Sequence, residues 1–263
     1  MGRYHPLLHR TRSGKERLTL VSEAQAALQD ITQGLDKLES GLNKLRGRRA
    51  RSVVVITASQ VLMMNWLMER LNRFSEVHDN IDLRLNVTEK LMDVAHGEAD
   101  LAVRCGRGDW PGVNKTWLMD EEAVLVCSPL IVLADKTACG EWLAAQKLIH
   151  DDTPYPGASF PSWAEVLEAA QAPTARDSGL HINSTSAVIL TALSGRGVAI
   201  VRRALVQQLL ATVPARSATP GPPLVPLTWS YYIVTPQHAV MRPEVKVFYD
   251  WLLHDVLAEN PIR

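Results

Sequence analysis

Between Val21 and Leu45, apolar residues recur at alternating spacings of three and four: Val21, Ala24, Leu28, Ile31, Leu35, Leu38, Leu42 and Leu45. The residues between them, among them Gln29, Asp30, Asp36, Lys37, Glu39 and Lys44, are polar. A stripe this narrow predicts a coiled-coil seam rather than a helix laid on a globular core. Gly34 and Gly41 each cost about 1 kcal/mol in helix propensity, so the helix needs a partner to persist. The expectation is dimerisation through Leu28, Ile31, Leu35, Leu38, Leu42 and Leu45; an amphipathic helix docked on its own domain is the alternative. Arg46, Arg48, Arg49 and Arg51 then close the helix as a solvated hinge.

Beyond this point the period changes. The β-branched run Ser52–Thr57 predicts a strand, and Val61–Phe74 has helical apolar spacing. Ile81–Val87 alternates with period two, a helix is expected from about Thr88 to His96, and Ala99–Cys105 and Glu121–Leu130 read as strands. The theme restarts with a strand at Leu148–His150, a helix at about Phe160–Ala170, a strand at Leu180–Asn183 and a helix at Ser184–Ser194. Val198–Val201 is a strand, a helix runs to about Leu210, Thr228–Pro236 is a strand, and Pro243–Leu257 is a closing helix with its proline at the start. Strand alternating with helix predicts an α/β chain with a parallel, doubly wound sheet. Val213–Pro226 holds five prolines and predicts a loop.

Composition adds little direction. The chain has 263 residues, 46% of them hydrophobic, and its 28 Lys+Arg balance its 28 Asp+Glu. Net charge therefore names no partner, and any electrostatic message is local. One such message stands at the start: in Arg3–Leu20 five basic residues face a single acid, Glu16. Three cysteines, Cys105, Cys127 and Cys139, without C-x-x-C spacing argue against a disulfide framework or thiolate metal site and fit a reducing cytoplasm. No apolar run approaches the ~18 residues of a membrane span, and no apolar segment follows the basic start as in a signal peptide.

Several segments, in order, resemble the LysR-type bacterial transcriptional regulators, in particular the glycine-cleavage activator-like branch. "PLLHRTRSGKERLTLVSEAQAAL" (Pro6–Leu28) looks like the family's wing and the start of its linker helix, and "NWLMERLNRF" (Asn65–Phe74) like the first effector-domain helix, with Glu69 in place of the usual proline. "IDLRL", "GEADLAVRCGRGDWPG" (Gly97–Gly112), "LMDEEAVLVCSP" (Leu118–Pro129) and "LIHDD" (Leu148–Asp152) follow with the family's spacing. "SGRGVAIVRRAL" (Ser194–Leu205), "SYYIV" (Ser230–Val234) and "VFYDWL" (Val247–Leu252) complete the series.

The resemblance implies a wing remnant at 1–19, a linker and dimerisation helix at 20–50, and an effector-binding domain at 51–258. That domain would be two Rossmann-like subdomains resembling the periplasmic-binding-protein type 2 fold, one at 51–123 and 228–258, the other at 124–227. The crossings would lie near Ala123–Cys127 and Leu227–Tyr231. It further implies a cytoplasmic transcription regulator, not an enzyme, working as a homodimer or tetramer on a small metabolite, with no cofactor and no membrane. Arg10, Arg12, Lys15 and Arg17 would grip the DNA backbone.

Two departures qualify this picture. Too few residues precede Pro6 for the helices of a winged helix-turn-helix, and phosphate contacts alone carry no sequence information. The expectation is a truncated gene, a misplaced start codon, or a chain that heterodimerises with a full-length relative; a metabolite-binding protein with no DNA role is the alternative class, and an enzyme on the same fold a remoter one. Secondly, "VPARSATPGPP" (Val213–Pro223) replaces a Gly-Arg-Leu-Val-like segment, as a compensated frameshift or local divergence would do.

In the family a small effector binds between the subdomains. Helix N-termini and strand carboxyl ends suit an anionic or polar ligand. The matching positions are Thr57, Ala58, Ser59 and Gln60 on one side, and Asn183, Ser184 and Thr185 on the other. Helix capping explains Ser, Thr and Asn there equally well. Arg104, ending a strand, would meet a carboxylate bidentately; a salt-bridged arginine is the alternative. The glycines of "RCGRGDWPG" do not fit G-x-G-x-x-G, so the segment reads as a turn bordering the cleft, with Trp110 packed in the core or covering the cleft. "HDD" (His150–Asp152) reads as capping or loop structure rather than a metal or acid/base site. No motif indicates catalysis.

Overall fold

The computed structural model describes residues 8–10, 18–20, 27, 31, 34, 35, 38, 42, 52–88, 94, 98–131, 139–153, 160–172, 179–212, 226–237 and 240–259. Met1–Ser52 and Val53–Arg263 form two compact units. In the first, β1 (Leu8–Arg10) and β2 (Leu18–Leu20) pair as an antiparallel hairpin, His9 opposite Thr19. Ala27, Ile31, Gly34, Leu35, Leu38 and Leu42 are helical. Arg12, Lys15, Arg17, Leu28, Leu45 and the segment 213–223 lie outside the described residues.

In the second unit β3 (Ser52–Ala58) leads through α1 (Gln60–Leu62) and a π-helical turn (Met63–Leu67) into α2 (Met68–Val77). The π-turn has a local cause. The Asn65 side-chain amide donates to the Val61 carbonyl at 2.9 Å, the acceptor that a regular helix gives to the Asn65 backbone. Then come β4 (Ile81–Val87), β5 (Leu101–Gly106), β6 (Val113–Val126), a 3₁₀ turn (Pro129–Ile131) and α3 (Cys139–Ala145). They are followed by β7 (Leu148–Asp151), α4 (Trp163–Ala169), β8 (Gly179–Ile182), α5 (Thr185–Leu193) and β9 (Val198–Arg202). A 3₁₀ turn (Arg203–Leu205), α6 (Gln207–Thr212), β10 (Pro226–Pro236) and α7 (Pro243–Glu259) complete the order. Of the helix expected near 88–96, Thr88 and Val94 are described: Val94 is helical and fully buried, and Thr88 is not helical.

Among the described residues the strands form one eight-stranded sheet in the order β4-β3-β5-β10-β6-β9-β7-β8. The expectation of a parallel sheet holds only in its outer parts, where β3 pairs with β5 and β7 with both β8 and β9 in parallel. The centre is antiparallel, β10 against β5 and β6, and β6 against β9. The reason is chain return: β6 carries the chain from one half of the sheet to the other, and β10 carries it back. β6 changes partner part-way, pairing with β10 over Val113–Glu122 and with β9 over Ala123–Val126. The strand expected at Glu121–Leu130 therefore begins eight residues earlier, at Val113, and stops at Val126. Its first part was hidden because exposed Asn114, Lys115 and Trp117 break the apolar pattern.

Phe74 anchors the first half, fully buried and edge-on to Phe248 at 5.0 Å and Trp251 at 5.3 Å. Beside it α2 is tied to α7 by ion pairs. Arg73 reaches Asp255 at 2.7 Å, and Arg70 pairs with Glu259 beneath the ring of Trp66, 4.1 Å away. Burial lowers the Arg70 pKa, opposed by those acids. In the second half Leu143, Leu148, Trp163, Val166 and Val198 make a separate core. Gly197 is obligatory there. Its φ is +156°, and a Cβ would stand 2.3 Å from the Lys147 carbonyl oxygen.

Candidate functional site

On the first half β3 ends in Thr57 and Ala58, both fully buried. Thr57 is spent on Arg104, 7% exposed, whose Nη2 donates to its Oγ1 at 3.1 Å. Ser59 caps α1, its hydroxyl accepting from the Leu62 amide at a long 3.4 Å, and Gln60 is exposed. On the second half Asn183 and Ser184 are exposed, and Thr185 opens α5 almost fully buried. Its hydroxyl donates to Asp151 Oδ2 at 2.6 Å, and Asp151 Oδ1 accepts from the Thr153 amide at 3.0 Å. Ser184 stands at the N-cap of α5 and makes no side-chain capping bond.

The eight predicted residues thus separate into two groups. Thr57, Ala58, Arg104 and Thr185 are buried beneath the surface, whereas Ser59, Gln60, Asn183 and Ser184 offer polar groups outward. The two helix starts come together where Asn65 Nδ2, in the π-turn, meets Ser186 Oγ of α5 at 3.5 Å. Neither residue carries a motif that marks it. Only the meeting of two distant segments reveals them.

Asp151 organises the second rim; of "HDD", read as capping or loop structure, His150 and Asp151 belong to strand β7 and only Asp152 lies beyond it. Asp152 accepts from, or pairs with, His181 Nδ1 at 3.2 Å, and the His181 ring stacks on His150 at 4.1 Å. These histidines are cross-strand partners on β7 and β8. A groove of about 400 Å³ opens on this side, lined by His150, Asp152, Phe160, Trp163, Leu167 and Ile200 among others; none of the eight predicted residues lines it. Trp110 packs rather than covers: it lies over Gly106 and meets Tyr232 edge-on at 5.7 Å.

Where β5, β6, β9 and β10 converge there is a buried polar cluster that sequence reading missed. Tyr231 Oη donates to Glu121 Oε2, and Glu121 Oε1 accepts from the amides of Glu122 (2.9 Å) and Ala204 (3.3 Å). Arg202 attracts Glu121 electrostatically, and both, with Tyr231, bear on the thiol of Cys105. Burial raises the Glu121 pKa, opposed by Tyr231 and Arg202, and raises the Cys105 thiol to about 11. Tyr231 is raised well above the ordinary phenol value, first by burial and then by Glu121. One signal was available: in "MDEEA" (Met119–Ala123) Glu121 stands in the inward phase of the alternation, between buried Met119 and Ala123.

A family model described as "LysR substrate binding domain" matches residues 47–256. The chain is 28% identical over 253 residues to the glycine cleavage system transcriptional activator of Escherichia coli K12, covering 92% of this chain and 78% of that protein. It is 28% identical over 222 residues to the HTH-type transcriptional activator AmpR of Rhodobacter capsulatus, covering 84% of this chain and 73% of that one. Among solved structures it is similar to the effector domain of the transcriptional regulator AmpR of Pseudomonas aeruginosa, with TM-score 0.60 and 26% identity over 80% of this chain and 97% of that one. The LysR-type regulator CrgA of Neisseria meningitidis shares the fold, with TM-score 0.60 and 19% identity over 96% of this chain and 84% of that one.

Proposed function

Because the chain belongs to the LysR-type transcriptional regulators through its LysR substrate binding domain, we propose that it binds a small metabolite between two subdomains, residues 51–123 with 228–258 and residues 124–227. The observation that carries this reading is the approach of α1 and its π-turn to the start of α5, Asn65 to Ser186 at 3.5 Å. Around that contact Ser59, Gln60, Asn183 and Ser184 present hydroxyl and amide groups to a ligand, and the first turns of the helices add unpaired N–H donors. Thr57, Ala58, Arg104 and Thr185 support the site from below: Arg104 fixes Thr57, and Asp151 fixes Thr185.

The effector is found by thermal-shift screening of a metabolite panel and tested on Ser59→Ala and Asn183→Ala. Binding by the parent chain that both variants lose supports the site. Unchanged affinity in both overturns it.

The exposed helical positions Ile31 (59%), Leu35 (60%), Leu38 (66%) and Leu42 (53%) support self-association through the linker helix, with Leu28 and Leu45 continuing the seam. The hairpin β1–β2, with Arg10 on it and Arg12, Lys15 and Arg17 following, is the proposed phosphate-gripping element. Four such contacts give a salt slope of about −3 to −4 in log K against log salt, read by gel shift. Binding with that slope supports backbone contacts by these four residues. Among the described residues no helix is long and apolar enough to cross a membrane.

A further inference from the structure

We propose that the buried Glu121–Arg202–Tyr231 cluster is the latch that sets the angle between the two halves of the sheet, and so the gap between Ser59–Gln60 and Asn183–Ser184. This rests on the effector reading only for its consequence; the latch itself is a property of the fold.

Its members come from both halves and from the two strands that join them. Cys105 belongs to β5 in the first half, and Arg202 to β9 in the second, while Glu121 and Tyr231 stand on the two strands that cross between them. The 3₁₀ turn after β9 adds the Ala204 amide, which donates to Glu121. From the first half the π-turn adds Trp66, whose ring stacks on Tyr231 at 6.1 Å and 11°. Glu121 is 1% exposed, Tyr231 0% and Arg202 6%.

Two physical reasons make this a latch rather than ordinary core. The other side-chain contacts across the joint are looser: Leu62, Met63 and Trp66 share a core with Val188, Ile189 and Ala204, Asn65 meets Ser186 at 3.5 Å, and Arg203 pairs with Glu122 at the exposed surface. Apolar contact is non-directional, so it holds the halves together without defining an angle. Hydrogen bonds are directional and tolerate little misalignment, so Glu121, held at once by the Tyr231 hydroxyl and the Ala204 amide, admits one arrangement. Nor does stability explain the cluster, since replacing buried ionic groups by apolar ones of similar volume is often neutral or stabilising. What the polar set contributes is geometry.

These are positioning residues, and the test reads an angle. In the full chain with Cys139 replaced by serine, nitroxide labels are placed at Val77→Cys and Glu168→Cys, exposed sites on α2 and α4. A control pair, Val77→Cys with Val87→Cys, lies within the first half. Labelled chain is mixed with excess unlabelled chain, and distances are measured by pulsed electron resonance without added ligand. Glu121→Gln and Arg202→Met are expected to give the cross-half pair a second distance population, with the control unchanged. Tyr231→Phe, which removes one hydroxyl and keeps the ring on Trp66, gives a smaller version and carries the test if the other variants do not fold. A cross-half distribution identical to the parent in the folded variants overturns the proposal. So does equal broadening of the control pair, which a merely structural role produces. Loss of the effector site by Ser59→Ala or Asn183→Ala leaves both distributions unmoved, so the two readings fail separately.

Discussion

Three serines stand at helix starts, and the structure assigns them different duties, which separates capping from ligand binding. Ser162 makes a complete capping box: its hydroxyl accepts from the Glu165 amide at 3.3 Å, and Glu165 accepts from the Ser162 amide at 2.7 Å. Ser59 makes a single long contact of 3.4 Å, and Ser184 makes none. Replacing a capping serine by alanine costs about 1 kcal/mol, within a range of about 0.5–2. Ser162→Ala should therefore cost about 1 kcal/mol, and Ser59→Ala about 0.5, because a contact at the edge of hydrogen-bonding distance is weak. Ser184→Ala should fall within about 0.5 kcal/mol of zero, as surface changes do. With a urea m-value of about 2–3 kcal/mol/M, 1 kcal/mol moves the midpoint by about 0.3–0.5 M. Urea titrations followed by circular dichroism resolve that. The Ser162 effect also depends on pH. Hydrogen bonds from the Ser162 backbone and side chain hold the Glu165 pKa below the ordinary carboxylate value. The box therefore contributes above the ordinary value and is lost as pH falls through the lowered one. If Ser184→Ala destabilises as much as Ser162→Ala, Ser184 is a cap after all, and its place in the effector site loses its support.

Other outcomes follow from the same geometry. Thr185→Val, which removes the 2.6 Å bond to Asp151, should cost about 1.5–3 kcal/mol by urea titration, the range for hydrogen bonds to charged groups; a cost near zero refutes the account of Asp151 as organiser. Phe74→Ala empties a fully buried site between Phe248 and Trp251 and should cost about 3–5 kcal/mol, lowering Tm by about 2–4 °C for each of them. The folded-state pKa of Glu121 lies above its ordinary value, so its contribution is complete below the ordinary carboxylate range and is lost as pH rises through the raised value. Stability measured against pH should therefore fall over that window in the parent relative to Glu121→Gln, and parallel curves would contradict the sign. Paired Leu35→Lys and Leu38→Lys exchanges should convert the chain to monomer in sedimentation at micromolar concentration, with the fold of Val53–Arg263 retained.

Much of this protein was legible along the chain because local periodicity reports local burial. The β-branched run at Ser52–Thr57 is β3, the alternation at Ile81–Val87 is β4, and the helical spacing at Val61–Phe74 lies within α1, the π-turn and α2. Ordered family-like segments then carried the membership that the family match shows for residues 47–256. What periodicity cannot report is which strands become neighbours. The antiparallel centre of the sheet arises because β6 and β10 run between the halves, and β6 trades β10 for β9 after Glu122. That exchange brings Cys105, Glu121, Arg202 and Tyr231 together from positions up to 126 residues apart in number. Nor could residue type separate Thr57 and Thr185, spent on Arg104 and Asp151, from Ser184, which is exposed and makes no capping bond. A serine or threonine at a helix start has one identity in sequence. Its free or occupied hydroxyl is decided by whichever strand end folds beside it.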